Sequence, residues 1–343
     1  MDPFDPNSLL PAHVMADLTD VRVNQPSRVL EAGSRRVRPS ALTRDGRLNL
    51  LAIDHPARGV NQAGSDPMAM ADRRGLLGRI VRTLQGDGVD GVMATLDLLQ
   101  DLLVLDDLLR EAGGPPLLDG KVLLASLNRG GLAGSAWELD DPITGATPES
   151  CARLGLDGAK LLLRIAPEDP GCLATIQMCA EAINELNALG LPIFLEPLPV
   201  VRKPDHWAVV NKPDALAQVV GVASALGDSS HGLWLKLPWC EGFETVARST
   251  SLPILLLGGP TATDTASLLT AVADSMAAGP NVRGGLVGRG LLFPGIEDPL
   301  VVATSLTHLI HRGAEPETAL QDAQAARGTD MDALTRWLGG EDG

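Results

Sequence analysis

The chain has 343 residues, of which 45% are hydrophobic and 21% are charged. This balance is typical of a folded globular protein and excludes a disordered one. The 43 acidic and 28 basic residues give a net charge of −15 at pH 7, which disfavours non-specific binding to nucleic acid or to an anionic membrane surface.

Two features of the composition restrict the chemistry further. The sequence contains no tyrosine, so no phenol hydroxyl can serve as a proton donor or a nucleophile. No Cys-x-x-Cys pair occurs among the four cysteines, which argues against a zinc knuckle, a thioredoxin-type redox site or a disulfide scaffold. The first residues, MDPFDPN, lack the basic and then apolar pattern of a secretory signal, and no apolar stretch is long enough to span a bilayer. We therefore expect a reduced, cytoplasmic protein.

From about residue 48, short apolar runs alternate with longer segments of helical pattern, such as 70–84 and 215–227. The runs cover residues 48–54, 88–95, 121–128, 158–165, 191–198, 232–238, 253–259 and 284–290. Strands that alternate with helices indicate βαβ units, and eight such runs are what a closed (β/α)8 barrel requires. We predict an α/β fold with a (β/α)8 TIM barrel over residues 48–313, a partly helical N-terminal extension over 1–47 and a C-terminal helical tail over 314–343.

The alternation of side chains along a strand predicts which residues point into the barrel lumen. In the run 232–238, the positions of Leu233, Leu235 and Leu237 suit the helix-facing side, so Lys236 points inward. The same alternation in other runs gives an inward set of charged residues: Asp54, Lys160, Arg164, Glu196 and Lys236. Buried charges are costly unless they are paired or functional, so we predict an active site at the C-terminal mouth of the lumen.

The last two predicted strands end in glycines, and these ends predict a phosphate site. Gly258 and Gly259 end one run, and Gly288 precedes Arg289 at the end of the other. In this fold the loops after the seventh and eighth strands commonly bind phosphate through backbone N–H groups. Arg289 would add a bidentate contact to the phosphate oxygens, and Arg164 is a further candidate for binding substrate.

Two lysines in a water-poor lumen favour the neutral amine of one of them, because burial and a neighbouring cation both disfavour its charged form. A neutral amine attacks a ketone to form a Schiff base, which accepts electrons when an adjacent C–C bond breaks. A carboxylate must move protons in this chemistry, and Glu196 is the candidate, with Asp54 supporting it or binding substrate hydroxyls. These parts match a class I aldolase that needs no metal and no cofactor.

Several segments resemble, in the same order, those of the class I Schiff-base aldolases of the tagatose-bisphosphate and DhnA-like type. They are LLAIDH, DGAKLLLRI, LPIFLEPL, LWLKLP, LLLGG and GLVGRG, within residues 48–295. The resemblance implies that Lys236 forms the imine, that Glu196 is the acid/base, and that Lys160 is a substrate and electrostatic partner. His55 replaces a glutamine of that family and is a candidate for binding substrate. The implied substrate is a phosphorylated ketose or keto-deoxy sugar acid of sugar or inositol catabolism, and related barrels commonly form homo-oligomers.

Two other functions remain open at this stage. A non-catalytic barrel that binds a sugar phosphate would explain the glycine-rich ends but not the set of Lys160, Glu196 and Lys236. A metal-dependent lyase would need ligands near the mouth, where His55 and His206 have no convincing third ligand. His308 and His311 lie three residues apart on a helical pattern, and we interpret them as part of a solvated helix face.

Overall fold

Eight parallel strands close into a barrel in the computed structural model, which describes residues 4–204, 206–258 and 264–339. The described residues contain nine strands, of which all but β6 belong to the barrel: β1 (Leu48–Ile53), β2 (Gly91–Ala94), β3 (Val122–Ser126), β4 (Gly158–Ile165), β5 (Ile193–Arg202), β6 (Trp207–Val209), β7 (Leu233–Pro238), β8 (Ile254–Leu257) and β9 (Val282–Val287). Pairing runs in the order β1-β2-β3-β4-β5-β7-β8-β9 and returns from β9 to β1, with every pair parallel. The predicted (β/α)8 TIM barrel is confirmed.

Helices follow the barrel strands along the chain, precede the first one and continue after the last. They are α1 (Pro6–Leu9), α2 (Ala12–Asn24), α3 (Arg28–Arg35), α4 (Arg73–Leu84), α5 (Leu96–Glu111), α6 (Pro148–Arg153), α7 (Gly171–Ala188), α8 (Pro213–Ser224), α9 (Phe243–Ala247), α10 (Thr265–Ala277), α11 (Arg289–Leu292), α12 (Pro299–Arg312), α13 (Pro316–Ala323) and α14 (Thr335–Leu338). Two short 3₁₀ turns, Pro56–Arg58 and Gln324–Ala326, complete the regular elements. None of the described helices is long and apolar enough to cross a membrane.

The helix layer packs on the barrel through apolar stripes with helical spacing. On α5, Leu98, Leu102, Leu105 and Leu109 recur every three or four residues, and all four are buried in the large outer core. This spacing places them on one face of the helix, as expected for a helix that covers a sheet. The sequence pattern therefore explains both why the segment is helical and which side of it faces the strands.

Side chains on the strands divide between two apolar cores, as the alternation predicts. Leu233, Leu235 and Leu237 belong to the outer core, between the strands and the helices. A separate core fills part of the lumen and contains Leu48, Leu50, Ala52, Met93, Val122, Leu124, Phe194, Leu255 and Leu286, with Trp234 packed against it. The rings of Phe194 and Trp234 stack there at a centroid distance of 5.7 Å. In β5 and β7 the inward positions that follow these two rings toward the C-terminal end are Glu196 and Lys236, so the charged groups lie between the lumenal core and the mouth.

One strand is longer than predicted, and another was not predicted at all. The run 191–198 continues as β5 to Arg202, and β6 pairs antiparallel with this extension, with Val200 opposite Val209. Pro197 and Pro199 cannot donate to a sheet ladder. Val200 and Val201 nevertheless continue the strand beyond the two prolines.

The N-terminal extension is fastened to the N-terminal end of the barrel by buried arginine contacts. Arg36, which is 4% exposed, donates to the Asp157 carboxylate at 2.9 Å and to the backbone carbonyls of Lys121 and Gly155 at 2.7 Å. Asp157 directly precedes β4 and also accepts from Arg38. A buried charge pair of this kind is costly to break from one side, so the extension is held in place by more than its apolar contacts.

His308 and His311 do not lie on a solvated face, so this part of the sequence interpretation is wrong. Their side chains are 9% and 6% exposed, respectively. His311 bridges Asp45 and Asp90, with its two ring nitrogens 2.8 and 2.9 Å from the carboxylate oxygens. Asp90 immediately precedes β2, so this cluster is at the N-terminal end of the barrel and away from the predicted mouth. Burial opposes the charged imidazole, but Asp90 and Asp45 outweigh it and raise the pKa of His311.

We expect the contribution of His311 to stability to depend on pH. Because its pKa is raised in the folded protein, the contribution is full below the ordinary value of 6.5 and is lost as the pH rises through the folded pKa. The difference in free energy of unfolding between the native protein and His311→Gln should therefore be larger at about pH 5.5 than at about pH 9, measured by urea unfolding.

His308→Gln is the matched control on the same helix. Burial lowers the pKa of His308, so its contribution is present above its ordinary pKa and is lost as the pH falls. The two variants should thus change in opposite directions with pH. The same direction for both would show that the two carboxylates do not hold a charged His311.

Candidate active site

Five charged side chains meet inside the barrel, at the C-terminal ends of the strands. Lys160 lies on β4, Glu196 on β5 and Lys236 on β7, while Asp54 follows the last residue of β1 and Arg129 lies in the loop after β3. All five are buried. Because each comes from a different strand or strand end, only the closed barrel places them in contact.

The Glu196 carboxylate is shared by the two lysines. Its Oε2 lies 2.7 Å from the Nζ of Lys160 and 3.1 Å from the Nζ of Lys236. On the other side, the Nζ of Lys160 is 3.2 Å from Oδ2 of Asp54. The four groups form a continuous chain of charges, in which Lys160 has two carboxylate partners and Lys236 has one.

Arg129 completes this chain and is missing from the set that the sequence predicted. Its guanidinium forms a salt bridge with Asp54, and its Nε donates to Oγ of Ser126 at 3.1 Å. Ser126 in turn donates to Asp54 at 2.8 Å. The alternation argument stops at Ser126, where β3 ends, so it gives no direction for a side chain three residues further along the chain.

Three cations and two carboxylates leave one excess positive charge in this cluster. Burial lowers the pKa of Lys236, and Arg129 lowers it further against the opposing effect of Glu196. Burial and Arg129 also lower the pKa of Lys160. Although burial opposes ionisation of Glu196, the two lysines lower its pKa, so it stays a carboxylate. Loss of one lysine proton therefore makes the cluster neutral.

Access to the mouth distinguishes the two lysines. A cavity of about 860 Å³ opens at the C-terminal ends of β5, β7, β8 and β9, and its lining includes Lys236 and Glu196. Lys160 does not line it and is only 1% exposed between its two carboxylates. Lys236 is therefore the amine that a small molecule can reach, and Lys160 is positioned to act through Glu196.

His55 lines the same cavity beside Lys236. Its ring packs against Gly288, where an added Cβ would lie 2.8 Å from Cε1 of the imidazole. A side chain at position 288 would therefore collide with the ring, which explains the glycine. Burial, helped by Lys236 and Arg289, lowers the pKa of His55 to about 3, so the imidazole is neutral at physiological pH.

The residues predicted to bind phosphate lie on one side of this cavity. Gly258, Gly288 and Arg289 all line it, while Gly259 lies outside the described residues. Arg289 donates to the backbone carbonyl of Gln62 at 3.1 Å, and within the described ranges no carboxylate lies within ion-pair distance of its guanidinium. A positive charge without a neutralising partner at the edge of a cavity suits an anionic group of a ligand.

Arg164 has different partners from those expected of a substrate-binding residue. Its guanidinium binds Glu138 and Asp141, which belong to the long loop 127–147, and does not line the cavity. Arg58 binds Glu138 as well. The acidic loop thus folds back over the strand ends and uses Arg164 as its anchor.

A metal site is not evident in the described part of the chain, where no group of three or more His, Cys, Asp or Glu side chains is arranged to hold an ion. The imidazole of His55 has two lysines and an arginine as neighbouring charges, with Glu196 as the carboxylate among them. The cluster is therefore built around amines and carboxylates, and its candidate chemistry is nucleophilic attack by an amine with proton transfer by a carboxylate.

Comparison with known proteins agrees with this fold. A family model described as Cgl0159-like matches residues 46–306. The crystal structure of Cgl0159 from Corynebacterium glutamicum is 36% identical with a TM-score of 0.83, covering 89% of this chain and 99% of that one. No curated protein matches the sequence significantly.

Fructose-bisphosphate aldolases share the fold at low sequence identity. A structure of an archaeal fructose-1,6-bisphosphate aldolase, with its catalytic lysine bound to a carbinolamine intermediate, is 19% identical with a TM-score of 0.55 and covers 82% of this chain and 99% of its own. The fructose-bisphosphate aldolase from Slackia heliotrinireducens is 13% identical with a TM-score of 0.59, covering 95% and 97%. These likenesses establish the common barrel.

Because Glu196 is shared by two lysines, we expect the pKa of Lys236 to depend on Lys160. Lys160→Met removes one cation and leaves Glu196 to Lys236 alone, so we expect the pKa of Lys236 to rise and its amine to be less reactive at neutral pH. The measurement is the pH dependence of modification by an amine reagent, with the modified peptide located by mass spectrometry. Lys160→Arg keeps the cation and is the matched control. An unchanged or lower midpoint in Lys160→Met would contradict this account of the charge balance.

Proposed function

The chain belongs to the Cgl0159-like family, and within it we propose that this protein is a class I aldolase that forms a Schiff base at Lys236. The observation that carries the proposal is the position of Lys236: its amine lines an open cavity, is buried, and lies 3.1 Å from a carboxylate that a second lysine shares. This is the environment in which an amine is neutral and a proton acceptor is at hand.

The first steps follow from these contacts. The Nζ of Lys236 adds to a ketone carbon, and the carbonyl oxygen takes the electron pair of the broken π bond. Glu196 takes the proton from the nitrogen and returns it to that oxygen, which gives a carbinolamine. Hydroxide then leaves, is neutralised by a proton from solvent, and the protonated imine remains on Lys236.

The imine then accepts the electrons of the breaking C–C bond. Glu196 removes the proton from the hydroxyl on the far carbon of that bond, an aldehyde leaves, and an enamine remains on Lys236. Protonation of the enamine carbon by Glu196 and hydrolysis of the imine release the ketone and restore the amine. Lys160 favours the ionised form of Glu196 that accepts each proton, and Asp54 with Arg129 holds Lys160 in place.

The proposed substrate is a phosphorylated ketose or keto-deoxy sugar acid. Support comes from Arg289, whose guanidinium lines the cavity beside Gly258 and Gly288. The narrower kinship with tagatose-bisphosphate and DhnA-like aldolases rests on the order of the matching segments and belongs to the same proposal. No described residue of the cavity is a tyrosine, so Glu196 carries the proton transfers in this reaction.

Borohydride reduction in the presence of a phosphorylated ketone tests the mechanism. We expect a reduced adduct on the peptide that contains Lys236, and Lys236→Met should lose both the adduct and turnover. Glu196→Gln should keep the fold and lower the rate of adduct formation by about 10²–10⁴-fold, because it removes the proton carrier.

The peptide containing Lys160 is the internal control, since this amine does not line the cavity. An adduct on that peptide, or none on Lys236 with a panel of phosphorylated sugars, would overturn the mechanism. Binding without an adduct would instead support a non-catalytic barrel, and activity that a chelator abolishes would support a metal-dependent lyase.

Arg289 provides a separate test of the phosphate site. Arg289→Gln should raise the concentration of dihydroxyacetone phosphate needed for half-maximal adduct formation by about 10–100-fold, because a charged hydrogen bond is lost. Unphosphorylated dihydroxyacetone should be affected little. Arg312→Gln, which removes an exposed arginine at the end of α12, is the matched control. An equal effect on both ketones would show that Arg289 does not bind the phosphate.

A further inference from the structure

The proposed mechanism leaves His55 without a role, although its imidazole lines the cavity together with Lys236 and Glu196. It extends from the end of β1, which lies four strands from β5 in the eight-stranded ring. Strands four apart in such a ring face each other across the lumen. A carbon attached to Lys236 therefore lies in a cavity that Glu196 lines from β5 and His55 lines from the end of β1.

We propose that His55 donates a hydrogen bond to the carbonyl oxygen of the substrate as Lys236 adds to the carbonyl carbon. The inference rests on the proposed Schiff-base chemistry and assigns that reaction a further catalytic residue. Glu196 receives the proton of the amine, and His55 holds the oxygen that gains charge.

The surroundings of the ring fix which nitrogen can donate. Nδ1 is enclosed and has no hydrogen-bond partner among the described residues. A buried N–H group without an acceptor is disfavoured, so the proton belongs on Nε2, which lies near Gly288, a residue that lines the same cavity. Gly288 packs against the Cε1 edge and leaves the ring little freedom to turn.

The charges that face His55 keep the imidazole neutral. Burial disfavours its protonation most, Lys236, Arg289 and Lys160 disfavour it further, and Glu196 favours it. Nε2–H is therefore a fixed donor and not an acid that titrates near neutral pH. When the amine adds, the oxygen gains the electron pair of the π bond and is stabilised by Nε2–H, while the His55 proton stays on its nitrogen. In a chain without tyrosine, this imidazole supplies a donor that no phenol can.

The experiment compares the rate of adduct formation at Lys236 with dihydroxyacetone phosphate and cyanoborohydride in the native protein, His55→Leu and His55→Gln. Removal of a preorganised donor at a developing oxyanion costs about 10²–10³-fold, so we expect a loss of this size in His55→Leu. His55→Gln keeps a neutral N–H donor and should recover to within about 10-fold of the native rate. The ratio of native to His55→Leu rates should be the same at about pH 6 and about pH 8, because a neutral donor does not titrate between them.

Each other outcome has a defined meaning. A native adduct with an unchanged rate in His55→Leu overturns the role of His55 and leaves the proposed function intact. No native adduct overturns the proposed function, and the inference falls with it. Equal losses in both variants, or a ratio that changes near the ordinary histidine pKa, also overturn the donor role. Urea unfolding verifies that each variant is folded, and His55→Ala replaces His55→Leu if the leucine is not tolerated.

Discussion

A single carboxylate shared by two buried lysines is the contact on which the rest of the site depends. Glu196 lies within 3.1 Å of both amines, and Asp54 balances Arg129 and one side of Lys160. With three cations and two carboxylates, the enclosed cluster reaches neutrality only when one amine loses its proton. The reactivity of Lys236 is therefore a property of the whole cluster and not of the lysine alone.

The charged cluster occupies its own layer of the lumen, next to a purely apolar region of the same lumen. Phe194 and Trp234 stack below Glu196 and Lys236 on the same two strands, within the apolar core that fills this part of the lumen. On the other side of the charges, the cavity at the mouth is lined by Lys236 and not by Lys160. Because inward positions recur every two residues along a strand, β5 and β7 each contribute an aromatic residue to the apolar layer and a charged residue to the layer nearer the mouth.

The sequence predicted the parts of this arrangement that depend on periodicity. Eight apolar runs, alternating along the chain with helical segments, indicated the barrel, and strand alternation placed Lys160, Glu196 and Lys236 in one lumen. It failed where a side chain leaves the regular backbone: Arg129 lies beyond the end of β3, and the partners of Arg164 come from a loop. His311 was interpreted as solvated because its partners, Asp45 and Asp90, are more than 200 residues away in the sequence. Such contacts are set by tertiary structure, which local patterns do not encode.

The long loop 127–147 links the architecture to the chemistry. Asn128 exchanges hydrogen bonds with the backbone of Leu162 on β4, and this fixes the chain at the point where Arg129 turns inward to Asp54. Arg164 anchors the other end of the loop through Glu138 and Asp141. Arg129, the third cation of the cluster, thus lies in a loop that residues of β4 hold in place. The alternation pattern predicted that Arg164 binds substrate. Arg164 instead holds the loop that contains Arg129, and Arg129 is one of the charges that lower the pKa of Lys236.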